Sequence, residues 1–94
     1  MTVTVLIKRT VTPENEGMLI ELYREMRGTA LNAKGYIGGE TLKRVDQSGE
    51  VLIISKWRHI DDWSKWLVSK DRRAYQERID TLTSAETKFE IYRH

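Results

Sequence analysis

The sequence predicts an α+β domain of the split-βαβ, ferredoxin-like plan, with elements in the order β-α-β-β-α-α-β. One four-stranded antiparallel sheet would carry its helices on a single face. Three observations carry this reading. Thr2–Thr10 alternates polar and apolar residues, later segments place apolar residues at helical spacing, and Asp46–Glu50 is a turn-forming stretch between two strand-like runs.

In the first strand Val3, Val5, Ile7 and Arg9 share one face, and Thr4, Leu6, Lys8 and Thr10 share the other. Thr12-Pro13-Glu14 reads as a helix start: Thr12 is placed to cap, proline suits the first helical position, and Glu14 and Glu16 complement the N-terminal dipole. Met18, Leu22, Met26 and Ala30 recur every four residues, with Leu19, Tyr23 and Leu31 beside them, which predicts an amphipathic helix. Gly35 ends that unit. Tyr36–Val45 reads as the second strand, in which Gly38-Gly39 marks a bulge or a close approach.

Val51–Arg58 is the third strand, paired with the second through the turn as a hairpin. Its centre, Val51-Leu52-Ile53-Ile54, is apolar on both faces, so both faces are expected to be covered. Ile60, Trp63 and Leu67 form the stripe of the next helix, with Trp66 on its flank. Ser69 is placed to cap a further helix carrying Tyr75, Ile79 and Leu82 on one face. A last strand is expected near Thr87–Arg93, with Phe89 and Ile91 opposed to Tyr92.

Composition bounds the function. Ninety-four residues, 39% hydrophobic and 32% charged, make one domain, 1–94, with neither repeat nor linker. The absence of cysteine excludes a disulfide scaffold, a thiol nucleophile and Cys-ligated metal centres. The 16 basic and 14 acidic residues divide evenly along the chain, so no basic arm points to nucleic acid. Recognition of RNA by a sheet of this order needs aromatic platforms on strands one and three, and strand one has no aromatic residue. The alternation of Thr2–Thr10 does not resemble a signal peptide, and apolar runs are too short for a membrane span, so the cytoplasm is the expected location.

The candidate functional residues are few. His59 and His94 lack metal-ligand spacing, and Asp61 and Asp62 beside His59 suit a helix start, so no metal site is expected. Trp57, Trp63 and Trp66 fall within ten positions. Trp63 lies on the apolar stripe and reads as core. Trp57 and Trp66 are open to two readings, core packing or the wall of a pocket between helix and sheet. The polar candidates are Tyr36, Tyr75, Arg44 and Arg72, with His59 as a proton partner; each also reads as an amphipathic residue at a core edge. There is no phosphate-binding glycine loop and no nucleophile elbow.

Gly35-Tyr36-Ile37-Gly38-Gly39-Glu40-Thr41-Leu42, then Val51–Arg58 ending in Ser55-Lys56-Trp57, then Trp63-Ser64-Lys65-Trp66-Leu67-Val68-Ser69, closing with Phe89-Glu90-Ile91-Tyr92, resembles the antibiotic biosynthesis monooxygenase family. The resemblance implies a dimeric α/β barrel. It also implies a pocket between sheet and helices, where a phenol- or quinol-like substrate is deprotonated and reacts with O2 without flavin or metal. Trp57 matches the family's tryptophan at the end of strand three, while the asparagine expected four residues earlier is Ile53. In the haem-degrading branch Trp66 matches the helix tryptophan. There the strand-one asparagine is Ile7 and the histidine ligand falls on Gln76, so no axial ligand is present.

The expected function is therefore that of a cofactor-independent monooxygenase acting on a small aromatic, with Trp57, Trp66, Tyr36, Tyr75, His59 and Arg72 as pocket candidates. The alternative is a non-catalytic dimer of the same fold that binds or senses a small ligand. Neither reading involves nucleic acid or a membrane. Apolar residues on both faces of strand three, with helices enough for only one, predict a homodimer through the open sheet face.

Overall fold

The computed structural model describes residues 1–83 and 88–94. The elements are β1 (Val3–Thr10), α1 (Pro13–Ala30), β2 (Tyr36–Lys43), β3 (Glu50–Trp57), α2 (Ile60–Leu67), α3 (Lys70–Leu82) and β4 (Lys88–Arg93). The expected element order holds, and the start of the last strand at Thr87 lies outside the described residues. The four strands form one sheet in the order β2-β3-β1-β4, every pair antiparallel. No helix among the described residues is long and apolar enough to cross a membrane.

The alternation of β1 decides how the sheet is used. Val3, Val5, Ile7 and Arg9 are all buried beneath the helices. Their cross-strand partners on β3 are Trp57, Ser55, Ile53 and Val51, so these two central strands make the floor of the core. On the other face lie Leu6, Leu52 and Ile54, half-buried, and Leu42, exposed. The expectation that β3 is covered on both sides is met on one side only within the chain; the second face is open.

Helix α1 buries Leu19, Ile20, Leu22, Tyr23, Met26 and Ala30. Met18 is 59% exposed, contrary to the four-residue series that placed it with Leu22, Met26 and Ala30. A step of four residues overshoots the 3.6-residue turn by about 40°, so a series of four members rotates by about 120° and its first member leaves the core face. Leu31 is exposed just past the helix end, and Ile60 is exposed at the first position of α2, where Trp66 joins Trp63 in the core instead.

Gly35 turns the chain from α1 into β2 at φ +83°, a left-handed conformation that side chains rarely adopt. A Cβ there would also collide with the carboxylate of Asp62, so the close approach of this turn to α2 depends on glycine. The pairing of β2 with β3 shifts register between Tyr36 and Gly38, at the site where paired glycines predict a bulge. Arg44 holds the β2–β3 turn, donating to Asp46 and Glu50 at 2.7 Å each, and so has a structural place away from the core.

The two expected helix caps differ. Ser69 Oγ accepts from the Arg72 backbone N–H at 3.2 Å. Thr12 adopts the extended cap conformation but its side chain makes no cap hydrogen bond; its own carbonyl takes the Asn15 N–H at 2.9 Å. Chemical denaturation should therefore separate them. Ser69→Ala is expected to cost about 1 kcal/mol, and Thr12→Ala less than about 0.5 kcal/mol. Equal losses would contradict this assignment.

Candidate functional site

Between the helix-facing side of the sheet and the helices lies a cavity of about 50 Å³. Its floor includes Ile7 and Ile53, which are direct partners across β1 and β3. Tyr36, Trp57 and Trp66 supply aromatic walls, and Tyr23 and Arg72 supply polar groups. Four of the residues singled out from the sequence thus meet in one place: Trp57, Trp66, Tyr36 and Arg72.

The aromatic wall is a continuous stack. Trp57, 1% exposed, has its ring 5.1 Å from Tyr36 and 6.2 Å from Trp66, both tilted. These separations are within the range of favourable aromatic pairs. The buried indole N–H of Trp57 donates to Ser55 Oγ at 3.1 Å, so its polar atom is satisfied two residues back on the same strand face. Gly39 lacks the Cβ that would come within 2.9 Å of the Tyr36 hydroxyl, which leaves that hydroxyl room at the cavity wall.

At about 50 Å³ the cavity takes a few waters. A benzene-sized ring is held by cavities of about 150 Å³, so it is admitted only when a lining side chain moves. Trp66 is placed for that. It also lines a surface groove of about 240 Å³, together with Asn32, Lys34 and Lys65, so it stands between the cavity and the outside.

The polar groups are unusual for so small a core. Arg9, 3% exposed, donates through Nε to the Tyr23 hydroxyl at 3.2 Å and through Nη1 to Thr83 Oγ1 at 3.3 Å. Its Nη2 lies 3.6 Å from Asp80 and has no hydrogen-bond partner among the described residues. Burial pushes the Tyr23 hydroxyl above its usual pKa, with the Arg9 guanidinium pulling it partly back. Burial likewise raises Tyr36, opposed by Arg27. Both hydroxyls are therefore neutral donors at neutral pH rather than bases. Burial lowers the pKa of Arg72, whose Nη1 donates to the Leu67 carbonyl at 3.3 Å.

The other two pocket candidates stand elsewhere. His59 is exposed at the N-cap of α2, where Asp61 and Asp62 occupy the first turn. Tyr75 is half-buried and lines a different groove with Arg78, whose guanidinium lies 5.8 Å from its ring. Neither lines the aromatic cavity. Tyr23, which periodicity marks only as a helix-core residue, does line it, and so does Arg27. Among the described residues no cluster of three or more His, Cys, Asp or Glu is arranged to hold a metal ion.

Comparison with known proteins bears on the fold and the family. The model of the family described as antibiotic biosynthesis monooxygenase matches residues 2–78. The chain belongs to the antibiotic biosynthesis monooxygenase family. No curated protein sequence matches it. Solved structures similar to it include a conserved protein from Methanosarcina mazei Go1, at 17% identity and TM-score 0.90, covering 99% of this chain and 92% of that one. Rv0793 from Mycobacterium tuberculosis is 15% identical with TM-score 0.87, covering 100% and 95%. A variant of SnoaB, a cofactor-independent oxygenase from Streptomyces nogalater, is 14% identical with TM-score 0.85, covering 99% and 92%. At these identities the structures establish the fold, and the family model establishes the membership.

The raised tyrosine pKa values carry a stability consequence. The hydroxyls stay protonated in the folded chain above the pH at which they ionise when unfolded. Their contribution is therefore complete below about pH 10 and is lost as pH rises through the folded values. Unfolding free energy should fall above about pH 10, and more shallowly in Tyr23→Phe than in the parent. An identical slope in the two would contradict the burial of Tyr23.

Proposed function

We propose that this member of the antibiotic biosynthesis monooxygenase family is a cofactor-independent monooxygenase for a small phenol- or quinol-like aromatic. The whole chain, 1–94, serves as one domain. The observation that supports it best is the aromatic stack of Tyr36, Trp57 and Trp66 along one buried cavity. Such walls hold a flat ring through its faces and exclude water.

In this reading the ring enters as Trp66 swings outward, and Trp57 and Tyr36 fix its plane. The positive charge of Arg72 favours loss of the phenolic proton, as any close cation does for an acid. The phenolic proton passes to solvent, the phenolate passes one electron to O2, and the resulting radicals join to a ring peroxide anion that takes a proton back from solvent to become the hydroperoxide. Cleavage of its O–O bond, with loss of the proton on the ring carbon, leaves a new carbonyl and releases water. One oxygen atom enters the product and the other leaves in water, and the substrate supplies all four electrons. The protein's part is to orient the ring, stabilise the anion and keep the radical pair from solvent.

The same reading makes the working unit a homodimer. Leu6, Leu42, Leu52 and Ile54 form an apolar cluster on the open sheet face, which a second copy of that face would cover. A second reading, non-catalytic ligand binding, is favoured by the floor of the cavity. Ile7 and Ile53 leave it without a side-chain amide, and its tyrosines are not bases.

Oxygen-electrode assays separate the two readings. With hydroquinones, naphthols and anthrone-like phenols, one O2 should be consumed per oxygen atom inserted into the product, at a rate unaffected by chelators. Binding without oxygen uptake across the panel would overturn the monooxygenase and leave the ligand-binding dimer. Sedimentation should return twice the 11.0 kDa chain mass, and a monomer at micromolar concentration would remove the dimer.

A further inference from the structure

The polar end of the cavity has a character of its own. Arg72 is 8% exposed, yet among the described residues its guanidinium makes a single hydrogen bond, to Leu67 O, and no ion pair. With Nη1 on the Leu67 carbonyl, the remaining N–H groups have no acceptor among the described residues, and the residue borders the cavity, where a counter-charge would meet them. Phe89 covers the guanidinium at 5.9 Å and offers only its ring face. The nearby carboxylate, Asp80, is already shared by Arg9 at 3.6 Å and Gln76 Nε2 at 2.8 Å. Glu40 borders the same cavity, but the alternation of β2, in which Thr41 faces Ile53 and Glu40 pairs with Ile54, turns its side chain to the opposite face of the sheet.

Tyr23 lines the same cavity. Arg9 can only donate, so its bond to the Tyr23 oxygen occupies a lone pair and leaves the phenolic hydrogen to point elsewhere. No acceptor among the described residues takes that hydrogen. Arg72, with N–H groups beyond the one on Leu67 O, and Tyr23, with its phenolic hydrogen, thus border one cavity, and a second buried cation, Arg9, stands behind Tyr23.

We infer that this cavity takes its aromatic ligand as an anion, with a carboxylate or phenolate oxygen held by the Arg72 guanidinium and the Tyr23 hydroxyl, and with Arg9 acting as the positioning residue that aims the Tyr23 proton. The inference rests on the cavity being the ligand site and not on the oxygen chemistry. It therefore survives if oxygen uptake is absent, and it fails separately if uptake occurs with neutral ligands alone.

Titration of the intrinsic tryptophan fluorescence with benzoate and with its neutral isostere benzamide tests it, with acetate as the charge without the ring. Benzoate should bind about ten-fold or more tightly than benzamide, and acetate should give no saturable change. Arg72→Met should abolish the preference, benzoate losing about ten-fold more affinity than benzamide, and Tyr23→Phe should reduce it in part. If Arg72→Met does not fold, the benzoate-to-benzamide ratio in the parent protein and in Arg72→Lys decides. Equal binding of the two isosteres, absence of binding by either, or a preference that persists in Arg72→Met overturns the inference.

Discussion

The arrangement turns on the burial of Trp57. It occupies the last position of β3, opposite Val3 on β1 and Tyr36 on β2, so one indole lies at the end of three adjacent strands. Nothing smaller would reach both Tyr36 and Trp66 from that position. The indole therefore spans from Tyr36 on β2 to Trp66 on α2 along one wall of the cavity. Ser55 satisfies the indole N–H from within the same strand, so the largest buried side chain leaves no polar group unmet. A fold of this size gains its rigidity from few contacts, and this one also shapes the site.

The second constraint is electrical. The layer between sheet and helices buries two guanidinium groups, Arg9 and Arg72; the other buried charged residue among those described, Asp62, lies against the Gly35 turn. Arg9 is met in part by Tyr23, Thr83 and Asp80, whereas Arg72 is met by a carbonyl and a ring face. Stability alone would favour apolar residues of similar volume at both places. Retaining the charges beside an aromatic cavity ties the polar chemistry of the interior to what the cavity holds.

Much of the fold could be read from local pattern because local pattern is what forms it. Strict alternation in Val3–Arg9 specified the buried face of β1, and Ser69 specified the start of α3. Leu31 and Ile60 sit at helix ends, where the angular position of a side chain ceases to determine its burial, whereas Met18, inside α1, is carried off the core face by the drift of a four-residue series. At Thr12 the donor a capping side chain would take, the Asn15 N–H, is already held by the Thr12 carbonyl. The site was harder. Trp57, Trp66, Tyr36 and Arg72 come from four separate elements or turns, and only the register of β1, β2 and β3 beneath the helices brings them together. His59 and Tyr75 carry the same residue-type signal but stand outside that register. Tyr23 was hidden inside a helix stripe that packing alone explains. The available clue was Arg9, a charge in the buried alternation of Val3, Val5 and Ile7, which demanded a polar partner across the core.

The claim that unites these features is that the space walled by Tyr36, Trp57 and Trp66 receives a small aromatic ring. Nitrogen-15 labelling of the tryptophan side chains gives three indole N–H resonances that report on it directly. Titration with a soluble naphthoquinol under anaerobic conditions should shift the Trp57 and Trp66 signals saturably through the ring current of the bound molecule. It should leave the backbone amides of Leu6 and Leu52 across the sheet unmoved. Shifts confined to those open-face amides, with Trp57 and Trp66 unchanged, would contradict the account.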